Sequence, residues 1–143
     1  MKHPEPPSKP SELIRLALRD LRSVERSKKY SVNMHAWHQP LSDQVCEVCL
    51  AGAVMARSLK VPHNLGINPV ELDTCLGVSA GWYAPLSALN DLRIGDLEQA
   101  ALCWHECGAL SGDRGIPIYD ETAPKAFHTA MEALAAEYEA AGA

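Results

Sequence analysis

"CEVCLAGAVMARSL", residues 46–59, decides how this chain folds. Two thiols stand three apart, Glu47 is the only charge before Arg57, and the run from Val48 to Ala56 is small and apolar throughout. An apolar run of this length without a polar stripe reads as a helix buried on every side. Asp43 is placed to cap it and Pro62 to end it, which predicts a helix from about Asp43 to Lys60 at the centre of the core. Gly52 and Ala53 then mark a close crossing with a second helix. In that frame Cys46 lies in the first turn beside Asp43 and Glu47, and Cys49 is expected to be the more buried of the two.

Outward from this segment the punctuation predicts more helices. Ser11 caps a helix whose Leu13, Ala17, Leu21 and Val24 form one apolar stripe, while Arg15, Arg19, Arg22 and Arg26 face solvent. Tyr30, Val32, Met34 and Ala36 alternate with polar residues, which suits a short extended segment. Asn68-Pro69 opens a helix that Gly77 stops, Ala84 to Leu92 forms another, and Asp96 caps "LEQAALCWHEC" as far as Gly108. Thr122 and Pro124 open the last, with Phe127, Met131, Leu134 and Tyr138 on one face. The expected fold is all-α: residues 1–10 a flexible proline-rich arm, and 11–143 a single compact domain of five or six helices with at most a very short strand pair near Val32.

Composition narrows the function classes. The chain has 143 residues, a net charge of −5, 47% apolar and 22% charged residues, which is globular composition. Lysine and arginine are spread thinly, so a duplex-binding surface is disfavoured. "MKHPEPPSKP" is not a signal peptide, and nine apolar residues are about half of a membrane span. Five cysteines, an odd count without a secretory signal, fit reduced thiols in the cytoplasm.

Few residues carry chemistry. His35 and His38 precede Cys46 and Cys49 as two pairs, each three apart, and zinc accepts two imidazoles and two thiolates. Alternatively Cys46, near a helix start, acts as a nucleophile with His38 or His35 as its base. Against both stands the habit of free cysteine to fill apolar helices, and no third orienting residue accompanies the pair. Cys103 and Cys107 share one helical face, away from His105 and Glu106, so "CWHEC" is read as packing. "GVSAGW", residues 77–82, lacks the context of a phosphate loop and reads as a turn delivering Trp82 and Tyr83 to the core or a groove. Trp37, Trp82, Tyr83 and Arg114 are the residues expected at a partner-binding surface, with at least one of the two tryptophans partly exposed.

"AWHQP", "DQVCEVCLAGAVMARSL" and "LSALNDLRIGDLEQAAL", taken together, resemble small uncharacterised helical proteins of phages and prophages over residues 30–107. More distantly, C-x-x-G-A followed by Asn90, Asp91, Gly95 and Asp96 is similar to a bacterial domain of unknown function. The resemblance implies an all-α fold and an accessory role in phage biology, and it brings no catalytic assignment. The sequence thus favours a soluble accessory protein that needs no cofactor and acts through contacts with a protein partner. The competing class is a cysteine-dependent enzyme or zinc protein built on His35, His38, Cys46 and Cys49.

Overall fold

A computed structural model of the chain describes residues 3–42, 45–92, 117 and 119–142. The first helix, α1 (Pro10–Glu25), begins with a proline at its first turn and Glu12 near the positive end of its dipole. Leu13, Ile14, Ala17, Leu18, Leu21 and Val24 recur at helical spacing and are buried, which fixes the face that meets the core. The same helix buries one carboxylate. Asp20 is 3% exposed, and its Oδ2 accepts a 2.5 Å hydrogen bond from the Ser58 hydroxyl.

Burial lifts the Asp20 carboxyl above its ordinary value, against the lowering influence of Ser58 and Arg19. A raised folded pKa means that the native chain holds this proton more tightly than the unfolded one. The group therefore adds stability below its unfolded pKa of about 3.9 and loses that contribution as pH climbs through the folded value. Asp20→Asn is expected to gain on the wild type between about pH 3 and pH 7 in urea titrations. A stability gap that does not change with pH would contradict the burial argument.

The chain is not all-α. Three strands, β1 (Tyr30–Val32), β2 (His38–Pro40) and β3 (Cys46–Val48), form a mixed sheet in the order β1-β3-β2. β1 runs parallel to β3 with Tyr30 opposite Cys46, and β2 runs antiparallel to β3 with His38 opposite Val48. Cys46 and Val48 are buried while Glu47 between them is not, a period of two that lasts only one cycle. One cycle cannot be told from an apolar helix by pattern alone. Pairing on both edges satisfies the β3 backbone, and that tertiary fact overrides the local preference for helix. Pro40, which has no N–H to donate, sits on an edge strand where proline is tolerated.

The helix expected from Asp43 accordingly starts later. α2 (Leu50–Arg57) is buried from Leu50 through Ala56, and the Cys49 side chain caps it by accepting from the Gly52 N–H at 3.3 Å. Asp43 lies outside the described residues. Gly52 marks a close approach, but to a loop and not to a helix. A Cβ at Gly52 would stand 1.7 Å from the Trp37 carbonyl oxygen and 3.0 Å from the Val48 Cβ. The Gly52 Cα hydrogen on that side points at the Trp37 oxygen, a weak C–H···O contact between helix and strand connection.

After α2 the chain makes a 3-10 turn at Pro69–Glu71, capped reciprocally by Asn68 and Glu71, and a short helix α3 (Leu72–Leu76). Gly77 ends α3 at φ 68°, the left-handed conformation glycine adopts freely. A second 3-10 turn, Ala80–Trp82, is capped by Ser79 and leads into α4 (Tyr83–Leu92), which packs on α2 and α1. The helix α5 (Lys125–Ala140) buries Phe127, Met131, Leu134 and Tyr138, the stripe its sequence shows.

α5 lies antiparallel along α1. Arg15 pairs with Glu139 at 2.6 Å, Arg22 with Glu132, and Glu25 with His128 at 2.9 Å. The arginine face of α1, expected to look only at solvent, is therefore shared with α5. The two arginine pairs are exposed enough to contribute little each, so burial of apolar side chains carries the packing. Among the described residues no helix is long and apolar enough to cross a membrane. The helix expected over "LEQAALCWHEC", the cysteines Cys103 and Cys107, and Arg114 fall outside the described residues.

Candidate functional site

Two surface cavities flank the Pro69–Glu71 turn. On one side, Pro69, Val70, Leu72, Ala80, Trp82 and Tyr83 line a groove of about 330 Å³. Its walls are mostly apolar. Val70 and Tyr83 are 65% and 51% exposed, unusual for large apolar side chains, whereas the Trp82 ring is buried. The indole N–H of Trp82 donates a 2.8 Å hydrogen bond to the Pro4 carbonyl, so the proline-rich arm is held against this turn. On the other side, His35, Trp37, His38, Gln39, Asn68 and Glu71 line a more polar cavity of about 380 Å³.

The structure thus divides the three described residues of the four expected at one binding surface. Trp82 and Tyr83 share the apolar groove, and half-buried Trp37 lines the polar cavity across the turn. The glycine turn "GVSAGW" does deliver Trp82 and Tyr83 together, because Ser79 caps the 3-10 turn and the chain continues straight into α4. Val70 was missed. It is a lone valine after Asn-Pro, and nothing in its spacing says that the turn leaves its side chain outside.

The cysteine–histidine set is divided as well. His35 is exposed on the loop before β2, and Cys49 turns its sulfur onto the Gly52 N–H. Among the described residues no three histidine, cysteine or carboxylate side chains are gathered as a metal site. His38 and Cys46 do meet, across the β2–β3 pair. The Cys46 sulfur lies 3.6 Å from His38 Nδ1 and 3.7 Å from Nε2. Near equality puts the sulfur beside the ring and off the axis of either nitrogen lone pair, which is not the in-line contact of a nucleophile and its base. His38 Nδ1 lies 2.7 Å from the Leu65 carbonyl, which can only accept, so Nδ1 carries the hydrogen.

Electrostatics keep this pair neutral. Burial pushes the Cys46 thiol up to about 11, with Glu47 adding to the rise. Burial holds the His38 imidazole below its ordinary value. Both side chains are within 1% of complete burial. Cys46 is therefore no more exposed than Cys49, and the expected difference between them vanishes because Cys46 sits on the central strand. Around the pair, Tyr30 stacks edge-on against His63 with centroids 5.1 Å apart, and the Arg57 guanidinium lies 5.2 Å from the Tyr30 ring centre. We expect a thiol reagent at neutral pH to label exposed Cys75 promptly and to reach Cys46 and Cys49 only through unfolding. Mass-spectrometric mapping of the labelled positions checks this, and prompt labelling of Cys46 in the folded protein would overturn it.

A third cluster was not anticipated. Glu25, at the end of α1, accepts from the Tyr119 hydroxyl at 2.5 Å and faces His128 Nε2 with both oxygens at 2.9 Å. Burial and the Glu25 carboxylate drive the Tyr119 phenol far above its ordinary value. His128 is 7% exposed. Glu25 stands about a hundred positions from Tyr119 and His128, which leaves no local signal, so only the fold can reveal the cluster. Their mutual hydrogen bonds and burial suit a polar clasp that ties α5 to α1. Compared with family models, curated proteins and solved structures, the chain matches none of them.

Proposed function

We propose that this chain is a small accessory binding protein of the phage or prophage type, acting through contacts with a protein partner. The observation that carries this reading is the groove beside Trp82, where Val70 and Tyr83 are exposed over an apolar wall. Aromatic side chains anchored in a rigid frame are the usual energetic centre of a recognition surface. Trp82 closes the second 3-10 turn, Tyr83 begins α4, and Val70 sits on a capped turn, so the groove keeps its shape without a ligand.

A second reading, cysteine chemistry or zinc binding, is favoured by the contact of Cys46 with His38. It requires a thiolate, and both burial and the raised thiol pKa oppose one. Paired affinity capture from the native cells tests the first reading. Wild-type bait is expected to retain a protein that Val70→Asp/Tyr83→Ser bait loses, with unchanged circular dichroism. Identical captures by the two baits would sink it. Near-stoichiometric zinc in protein purified without added metal would favour the second reading instead.

A further inference from the structure

The proline-rich arm offers a clue to the chemistry of the partner. Residues 3–10 read "HPEPPSKP", with Pro4 and Pro7 three apart, one turn of a polyproline II helix. The arm carries its own carbonyl of Pro4 to the Trp82 indole N–H at 2.8 Å. Pro6 lies over the turn as well, since a Cβ on Gly81 would be 3.7 Å from the Pro6 ring. An indole N–H donating to a proline carbonyl, with a second proline over the same turn, is part of the contact pattern by which aromatic grooves read extended proline-rich segments. The groove continues past Trp82 to exposed Tyr83 and Val70, and Asp73 supplies its wall with a negative charge.

We propose that the Trp82–Tyr83 groove recognises an extended proline-rich segment of a partner protein, and that the chain's own arm occupies the Trp82 end as an internal ligand. This rests on the protein-contact reading and names the chemistry of its partner. Polyproline II segments suit such a groove because they are already extended, carry unpaired carbonyls, and lose little freedom on docking. Asp73 favours a segment that also carries a lysine or arginine. The arm then sets a threshold, because a partner has to displace it from Trp82 to fill the whole groove.

The test uses the full chain and a synthetic peptide of residues 3–10. In a Pro4→Ala/Pro6→Ala/Pro7→Ala chain the internal ligand is loosened, and the peptide is expected to shift the Trp82 indole N–H resonance saturably. Trp82→Phe assigns that resonance by its loss. If the wild-type arm holds its place for about nine-tenths of the time, the wild-type chain needs about tenfold more peptide. A control peptide with every proline replaced by alanine is expected to leave the resonance unmoved. Absence of a saturable shift at millimolar peptide, in a variant with wild-type circular dichroism, overturns the proposal.

Should the triple variant lose its fold, the wild-type chain decides. Millimolar peptide is expected to move the Tyr83 ring resonances, and exposed Tyr83→Ser to weaken binding. Unmoved Tyr83 resonances overturn the proposal. A peptide that fails while Val70→Asp/Tyr83→Ser still loses a captured partner rejects the proline chemistry alone. Failure of both rejects the protein-contact reading with it.

Discussion

Replacing Gly52 with alanine is expected to destabilise the protein by about 3 kcal/mol or more, at the upper end of what overpacking costs. The added methyl would stand 1.7 Å from the Trp37 carbonyl oxygen, which is backbone and cannot swing aside like a side-chain tip. Either α2 or the connection between β1 and β2 has to shift, and both carry buried contacts. In a helix interior alanine is otherwise preferred to glycine by about 1 kcal/mol, so intrinsic propensity works in the opposite direction. A urea titration separates the two effects by sign. A Gly52→Ala protein as stable as the wild type would mean that the helix and the Trp37 peptide are not in contact.

Trp82→Ala is the second large effect, at about 3–5 kcal/mol for the loss of a fully buried tryptophan. The ring is among the largest fully buried side chains of the core, and its N–H is satisfied by the Pro4 carbonyl. Trp82→Phe keeps most of the apolar contact and removes the donor, so its cost is expected to be well under half that of alanine. Thermal or urea denaturation of the two variants gives the comparison. Equal costs would mean that the hydrogen bond to the arm, and not packing, dominates at this position.

What the sequence discloses about this fold depends on how far each signal travels along the chain. α1 and α5 were legible because sixteen residues each allow the apolar stripe to repeat several times. The turn at Asn68-Pro69 and the stop at Gly77 were legible because capping and left-handed backbone are properties of single residues. The sheet was not. Its strands have three residues each, and the central one runs directly into a buried helix, so Cys46 and Val48 read as part of that helix. The resemblance to helical phage proteins implied the same all-α fold, and that implication was overturned by the same three strands.

The candidate site divides along the same line. Trp82 and Tyr83 were singled out because the glycine-rich turn before them is local. Val70 joins their groove only through the packing of two 3-10 turns. Cys46 and His38 were named together from spacing, and they do meet, but spacing carries no information on desolvation. Burial decides whether that contact is reactive. Glu25, Tyr119 and His128 needed the whole fold.

The clasp between α1 and α5 also imposes an order on protein synthesis. Arg15, Arg22 and Glu25 emerge from the ribosome early, and their partners Glu139, Glu132 and His128 more than a hundred residues later. α1 can cover part of its stripe on α2 as soon as Arg57 is out, yet the side that meets α5 stays open for the roughly 4 to 16 s of translation in between. During that interval the nascent chain presents a half-covered apolar helix edged with arginine. Such an intermediate is a natural client for the chaperones that meet growing chains, and slow codons over the intervening stretch would lengthen its exposure.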